Sequence, residues 1–151
     1  MIPFNKIKYL LIPILMSFSS CQEKIDDYLI LRSWIISEMT YKGNDLKPYL
    51  TMNSLNFKKD NKCVIPIYDD GGVVYKSHKK AKWLITADNK LKIESVKEYL
   101  NGEFEICFGK DQMIKSVYII IKSKDLYLKA YRGNFGEGFK DDLPISCNEA
   151  I

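Results

Sequence analysis

The sequence predicts an all-β domain, an antiparallel meander of about eight strands that closes into a barrel and is followed by an irregular C-terminal tail. Short runs rich in Val, Ile, Tyr and Phe follow one another along most of the chain. Several alternate apolar and polar residues, which is typical of strands with one buried face. Nothing after Asp27 sustains a helical apolar stripe for three turns. Closure into a barrel is favoured because it removes exposed strand edges.

The first 20 residues have the layout of a secretory signal peptide. A short basic region precedes an apolar run from Tyr9 to Met16, which is too short to span a hydrocarbon core of ~30 Å as a permanent helix. Small residues then lead directly to Cys21. We expect cleavage before this cysteine, and an ordinary cleavage site beside a chance cysteine is the alternative.

Cleavage before Cys21 would leave a mature chain of suitable size for one domain with its own core. Loss of Lys6 and Lys8 lowers the formal net charge from +4 to about +2. A charge so balanced argues against nucleic acid as a partner. We assign residues 1–20 to the signal, 21–28 to a polar tether, 29–131 to the barrel and 132–151 to a tail that packs on it.

Nine segments of the mature chain are predicted as strands, because each is rich in strand-forming residues and most are bounded by turn residues. No long repeat, low-complexity tract or linker divides them. The segments lie near Leu31–Tyr41, Ser54–Lys58, Cys63–Tyr68, Val73–Ser77, Ala81–Thr86, Lys90–Ser95, Glu103–Phe108, Ile114–Lys122 and Asp125–Tyr131.

Strand register can be predicted because both strands of a hairpin must place their apolar residues on one face. A three-residue loop, Ala87-Asp88-Asn89, sets Ile85 against Leu91. The same loop sets Trp83 against Ile93, whereas a two-residue loop would mix the faces. The last residue of such a loop takes the left-handed conformation, which Asn tolerates well.

The tripeptide Asp60-Asn61-Lys62 repeats this loop chemistry earlier in the chain. It sets Phe57 against Cys63. The residues two positions further out, Leu55 and Ile65, then face each other as well. Both hairpins therefore agree with one inside face of the barrel.

The last strands are predicted to continue the same inside face. A two-residue loop at Ser123-Lys124 pairs Ile121 with Leu126. Upstream, Phe104 falls opposite Ile121 if the connection closes at Gln112-Met113. The inward positions are then almost all aliphatic or aromatic.

Four segments of the chain resemble the lipocalin-like lipoproteins of Bacteroidota, and the resemblance covers roughly Leu29 to Tyr131. It implies an antiparallel barrel of about eight strands, wide enough to hold one small apolar ligand or to be filled by side chains. The segments that carry it are Leu31-Arg32-Ser33-Trp34, Leu55-Asn56-Phe57-Lys58-Lys59-Asp60, Trp83-Leu84-Ile85 with Asp88-Asn89-Lys90-Leu91-Lys92-Ile93, and Asp125-Leu126-Tyr127-Leu128.

The residues before Cys21 are similar to the lipobox of bacterial lipoproteins, in which a diacylglycerol is attached to the cysteine thiol. This resemblance implies a lipid anchor such as palmitate at Cys21 and a place in the outer membrane, on its periplasmic or cell-surface side. The segment Gln22–Asp27 resembles the signal that sends lipoproteins of Bacteroidota to the cell surface. The basic run Lys76–Lys82 is interpreted as an exposed hairpin or as a contact for anionic headgroups.

The sequence gives catalysis little support, so we predict no enzyme, no cofactor and no metal site. His78 is the single histidine and lies in a charged run, with no partner for a metal site or a triad. Glu103 and Glu105 share the outer face of one strand, where paired solvent-facing charge is the ordinary explanation. The turn Asp69-Asp70-Gly71-Gly72 supplies too few oxygens to specify calcium.

Two functional hypotheses remain. In the first, the barrel interior accepts a lipid or another small apolar molecule at the cell envelope. The candidate ligand-binding residues are Trp34, Phe57, Trp83 and Phe104. In the second, these aromatic residues fill the core, and the domain is an envelope subunit that binds a protein partner through its outer surface.

The cysteines link the tail to that outer surface. In an oxidising envelope Cys63, Cys107 and Cys147 can form one pair and leave one thiol. The predicted register places Cys63 inside and Cys107 outside, so we predict a Cys107–Cys147 disulfide. The tail would then cover an apolar outer face, or that face would stay open to dock a protein partner. The face comprises Tyr118, Ile120, Tyr127 and Tyr131.

Overall fold

The structure is a computed structural model that describes residues 25–30, 33–68, 81–133 and 143–147. Within these residues the chain forms one α-helix, two short 3-10 helices and eleven strands. The strands are β1 (Trp34–Tyr41), β2 (Asn44–Asp45), β3 (Leu50–Met52), β4 (Ser54–Phe57), β5 (Lys62–Val64), β6 (Ile67–Tyr68), β7 (Ala81–Ile85), β8 (Leu91–Glu94), β9 (Gly102–Asp111), β10 (Ser116–Lys122) and β11 (Leu126–Arg132).

Eight of the strands form a closed antiparallel barrel in the order β1, β4, β5, β7, β8, β9, β10, β11. The ring closes because β1 pairs with β4 on one side and with β11 on the other. A bulge between Ile36 and Glu38 bends β1 where it leaves β4 and pairs with the added strand β2. The predicted fold class, an all-β meander closed into a barrel of eight strands, is confirmed.

Most predicted strands coincide with observed ones, and the differences lie in the first half, where the two-residue strand β2 was not predicted. The predicted strand Cys63–Tyr68 is divided at Pro66, which has no backbone N–H to donate to a ladder. Its second part, Ile67–Tyr68, leaves the barrel and pairs with Leu50–Met52, a short strand that was not predicted. The predicted strand Val73–Ser77 lies outside the described residues.

Residues 25–30 form a helix, so the predicted tether, residues 21–28, is corrected for residues 25–28, whereas residues 21–24 lie outside the described residues. Ile25, Tyr28 and Leu29 share one helical face and are buried in the core. The indole Nε1 of Trp34 donates a hydrogen bond to the carbonyl oxygen of Leu29 at 3.1 Å. The helix is therefore part of the folded domain, and it packs where β1 begins. The two acids between its apolar residues made this segment read as polar.

The two hairpins with three-residue loops have the predicted pairing. Ile85 faces Leu91 and Trp83 faces Ile93, and Asn89 has a φ of +59°. In the earlier hairpin Phe57 faces Cys63 as predicted.

The loop of that earlier hairpin begins one residue before the predicted tripeptide. The backbone N–H of Lys58 donates to the oxygen of Lys62, so the loop is Lys59–Asn61. Asn61, with a φ of +58°, holds the left-handed position. In both hairpins an asparagine therefore ends the loop.

The register predicted for β9, β10 and β11 is wrong by two residues. Ile121 faces Leu128 rather than Leu126, and Ile106 rather than Phe104. The last turn is formed by Lys124 and Asp125 instead of Ser123 and Lys124, because the N–H of Ser123 bonds to the oxygen of Leu126. A shift of two residues keeps every side chain on its own face. The inward residues were therefore identified correctly even though their partners were not.

The connection between β9 and β10 is longer than predicted. Asp111 pairs with Ser116, so four residues form the turn. The Asp111 carboxylate oxygen Oδ1 accepts hydrogen bonds from the N–H groups of Met113 at 3.0 Å and Ile114 at 3.2 Å. Lys115 completes the turn with a φ of +48°. An aspartate that caps its own turn in this way explains why the loop closes here.

Candidate functional site

The four aromatic residues predicted to line the barrel interior all point inward. Trp34, Phe57, Trp83 and Phe104 lie on four different strands, and each is at most 4% exposed. They belong to one contiguous cluster of buried residues that includes the inward residues of all eight barrel strands. The sequence therefore located the interior correctly.

Three of these side chains make specific ring contacts or hydrogen bonds within the protein. The rings of Phe57 and Trp83 meet edge to face, with centroids 5.2 Å apart. The indole Nε1 of Trp83 donates to the carbonyl oxygen of Lys58 at 3.0 Å, as that of Trp34 does to Leu29. Both tryptophan N–H groups are thus satisfied by backbone oxygens. These residues are packed as core side chains in this structure.

At the end of the barrel at which β1 begins, three aromatic rings and one guanidinium group pack together. The ring of Tyr28, from the helix, meets that of Phe108 edge to face, with centroids 4.9 Å apart. The guanidinium carbon of Arg132 lies 4.4 Å from the centre of the Tyr28 ring. Trp34 pairs with Arg132 across β1 and β11, and its ring lies 5.9 Å from that of Phe108. We call this end the helix end.

On the outer face of the last strands, Tyr118 is far less exposed than a surface tyrosine would be, at 4%. Its ring lies over Gly109, where an added Cβ would come within 2.1 Å of the Tyr118 Cζ atom. The rings of Tyr118 and Tyr131 meet edge to face at 5.9 Å. The ammonium group of Lys129 lies 4.6 Å from the first ring and 5.4 Å from the second. These four residues form an ordered surface patch.

The same patch includes a hydrogen-bonded acid. The hydroxyl of Tyr131 donates to Oδ2 of Asp111 at 2.9 Å. The N–H of Ile114 and this hydroxyl lower the pKa of the Asp111 carboxyl. Burial, and then the hydrogen bond to Asp111, raise the pKa of Tyr131. Tyr127, which is half-buried on the same strand near Lys129, has its pKa raised by burial and by nearby Glu38.

The tail is attached to β9 through the predicted cysteine pair. The sulfur atoms of Cys107 and Cys147 form a disulfide, with Cα atoms 4.9 Å apart. The N–H of Phe108 donates to the oxygen of Ile145, and the N–H of Cys147 donates to the oxygen of Phe108, both at 2.8 Å.

Residues 143–147 therefore lie beside β9, and Leu143 and Ile145 pack on the core. The prediction that the tail crosses the outer face of the last strands does not hold for these residues. They pair instead with the edge of β9 that β8 leaves open, because backbone hydrogen bonds are available there. Phe135 and Phe139 lie outside the described residues.

Among the described residues the remaining cysteine is Cys63, which is fully buried inside the barrel as predicted. Burial raises the pKa of its thiol to about 12. The thiol is therefore protonated at neutral pH, and it serves as a small apolar core group.

The carboxylates singled out in the sequence lie in a groove of mixed charge. Glu105 forms an ion pair with Lys122 at 3.4 Å. The groove has a volume of about 440 Å³, and charged residues of both signs line it. The residues that line it are Lys90, Glu103, Glu105, Lys122, Ser123 and Lys124.

Several predicted features lie wholly or partly outside the described residues. These include Cys21, His78, the turn Asp69–Gly72 and all of the basic run except Lys82. Within residues 25–30, 33–68, 81–133 and 143–147, His, Cys, Asp and Glu side chains form no group of three that could hold a metal ion. In the same part of the chain no helix has the length and apolarity needed to cross a membrane.

Comparison of the chain with protein-family models, with curated proteins and with solved structures gives no significant match.

Proposed function

We propose that this chain is a lipocalin-like envelope lipoprotein, anchored by a diacylglycerol on Cys21, whose filled barrel is a rigid, non-catalytic scaffold for binding a protein partner. The observation that carries the proposal is the packing of the four interior aromatic residues. They are buried in one continuous core, and both indole N–H groups already have backbone acceptors.

The packing of the interior disfavours a ligand inside the described part of the barrel. An aromatic side chain buries about 150–250 Å², and each Å² of apolar area contributes about 25 cal/mol. Displacing one ring to admit a ligand would therefore cost several kcal/mol before any new contact formed. The ligand-binding hypothesis would need the residues that the structure does not describe to provide room.

The outer patch supports the partner-binding hypothesis. Tyr127 and Tyr131 are half-buried, and Lys129 lies between two rings and 4.0 Å from Glu38. Tyrosines held in fixed positions lose little side-chain entropy on binding and are frequent at interface hot spots. The patch combines them with one cation and one carboxylate, which suits a partner surface with both aromatic and charged groups.

Photo-crosslinking in cells tests partner binding. A photoreactive phenylalanine analogue placed at Tyr127 is expected to give one discrete crosslinked species. The matched control is the same analogue at Leu84, which is 41% exposed on the outer face of β7. Equal crosslinking from both positions, or none from position 127, would contradict the proposed docking face.

Heating the gently purified Cys21→Ser protein with and without a short-chain lipid, kept below the concentration at which it forms micelles, tests the alternative function in the absence of a membrane surface. A filled barrel should unfold at the same temperature in both samples. A small apolar ligand that binds only the folded form must raise that temperature. A clear rise, together with the mass of a co-purified lipid, would replace the partner-binding hypothesis with the ligand-binding one.

The lipid anchor is tested by replacing Cys21 with Ser. Each buried acyl CH₂ contributes ~0.8 kcal/mol to membrane binding, and a serine side chain cannot carry the thioether-linked lipid. We expect the Cys21→Ser protein to leave the membrane fraction. Recovery of this variant in the membrane fraction after a high-salt wash would disprove the anchor.

A further inference from the structure

We propose that the helix end of the barrel docks on the bilayer and that Met113 and Ile114 insert into the interface of the membrane that holds the Cys21 lipid. This inference rests on the proposed lipid anchor, and it adds an orientation and a lipid-contacting turn. The partner is a lipid surface, and the contact is the tip of the β9–β10 turn.

The topology places this turn beside the helix. In an up-and-down barrel, alternate connections lie at the same end, so the β4–β5, β7–β8 and β9–β10 turns all lie at the helix end. Side-chain contacts agree with this placement. Tyr28 of the helix contacts Phe108 near the end of β9, and Ser116, the first residue of β10, donates its hydroxyl to the oxygen of Arg132 at 3.3 Å.

The short distance along the chain from the anchor to the helix limits which end can face the membrane. Cys21 precedes Ile25, which is in the core, by only four residues. Four residues span at most about 14 Å when fully extended. The barrel is longer than this from end to end, because the seven residues of β10 alone extend over about 23 Å. A lipid on Cys21 therefore holds the helix end, and not the opposite end, close to the bilayer.

The β9–β10 turn presents apolar side chains in a fixed conformation. Met113 is 94% exposed and Ile114 is 40% exposed. The Asp111 carboxylate holds the backbone N–H groups of both residues, and Lys110 and Lys115 flank the pair. An apolar tip between cations is the composition that inserts at a membrane interface while its charges stay at headgroup level.

Exposure alone does not distinguish this turn, since single exposed apolar residues are normal. Val96 is 70% exposed and Tyr49 is 57% exposed, and both lie on connections at the opposite end. Met113 and Ile114 differ from Val96 and Tyr49 because their turn lies at the same end of the barrel as the proposed anchor. Tyr49 therefore serves as an internal control in the same molecule.

Hydroxyl-radical footprinting of the lipidated full-length mature protein tests the inference. The protein is reconstituted on vesicles of phosphatidylethanolamine and phosphatidylglycerol, and the Cys21→Ser protein in solution is the reference. The readout is the ratio of oxidation at Met113 to oxidation at Tyr49. Full burial of a methionine side chain shifts an insertion equilibrium by roughly 10-fold or more, so we expect the ratio to fall by about that factor.

Each outcome separates the docking geometry from the anchor on which it depends. The mass of the Cys21 peptide first establishes whether a diacylglycerol is present, and its absence overturns the anchor and the docking together. If the lipid is present, an unchanged oxidation ratio overturns the docking alone. Protection of Tyr49 with Met113 left reactive would show that the opposite end faces the bilayer.

Discussion

On β10, Ile119 and Ile121 point into the barrel and are fully buried among other apolar side chains, whereas Tyr118 on the outer face lies over Gly109. The inward residues are stabilised by removal of apolar area from water, which depends little on the identity of the neighbour. The outward residue depends on one particular neighbour, because only a glycine leaves room for its ring. The two faces of one strand therefore place different demands on the sequence.

This difference explains how the strands find their register. A shift by two residues would still place aliphatic side chains inside, as the register predicted for β9 and β10 did. The same shift would place Tyr118 opposite Cys107 instead of Gly109. It would also alter the turn that Asp111 caps. The inner face thus decides which residues are buried, and the outer face with its turns decides which partners they have.

The largest expected effect comes from removing an inner ring. Trp34→Ala is expected to lower the free energy of unfolding by about 3–5 kcal/mol, because it leaves a cavity and an unpaired Leu29 carbonyl. Val96→Ala, at an exposed position, should change it by less than about 0.5 kcal/mol. Chemical denaturation measures both. A loss below about 1 kcal/mol for Trp34→Ala would show that the interior is not close-packed.

The next largest effect concerns the tail on the outer side of β9. Replacing both Cys107 and Cys147 with Ser is expected to cost about 2–4 kcal/mol, because the disulfide closes a sequence separation of 40 residues. Labelling of Cys63 tests the inner face in parallel. Because burial raises the pKa of its thiol to about 12, iodoacetamide should label Cys63 only after the protein has unfolded. A Cys63–Cys147 peptide in a non-reducing digest would contradict the pairing.

A smaller effect tests the ring over the glycine directly. Gly109→Ala is expected to cost about 1–3 kcal/mol, because the new methyl group overlaps the Tyr118 ring. In a Tyr118→Ala background the same substitution should cost little, which gives a large coupling energy in a double-mutant cycle. Equal costs in both backgrounds would mean that the ring is not seated on Gly109.

The smallest effect is a pH dependence on the outer face. The pKa of Asp111 is lowered in the folded protein, so its contribution to stability is present above the pKa of an aspartate in the unfolded chain, about 3.9. The contribution is lost as the pH falls through the lower folded pKa. The stability difference between wild type and Asp111→Asn should therefore shrink as the pH falls below about 4.

Denaturant midpoints measured between neutral and acidic pH check this dependence. Tyr131→Phe removes one of the groups that stabilise the Asp111 carboxylate, so it should weaken the pH dependence without abolishing it. A stability difference between wild type and Asp111→Asn that is constant across the pH range would contradict the assignment.

Local turn chemistry is the part of the fold that could be read most directly from the sequence. Asn61 and Asn89 both adopt the left-handed conformation, and their hairpins have the predicted pairing. No such residue marks the turn between β10 and β11, where Lys124 and Asp125 sit one position later than predicted. Where a turn residue has one strong preference the register follows, and where it has none several registers satisfy the pattern.

The helix at residues 25–30 could not be identified from periodicity alone. Six positions with four apolar residues are too few to distinguish a helical stripe from chance, and isolated helices of this length are marginal in water. The helix forms where the end of the barrel offers apolar surface for Ile25 and Leu29 and where the Leu29 oxygen meets the indole N–H of Trp34. Tertiary packing therefore supplies the stability that an isolated helix of this length lacks.

The sequence by itself determined which side chains face inward, because alternation has a period of two and holds in every register that keeps the faces. It also determined which cysteine is the buried one and, through the outward position of Cys107, the pair that the structure contains. Only the tertiary structure shows that the interior aromatic residues pack together in one buried cluster, because that packing depends on distances between strands that are far apart in sequence. It also decided that residues 143–147 pair with the open edge of β9, since that edge exists only because β8 begins at Leu91, opposite Phe104, and does not extend to Phe108.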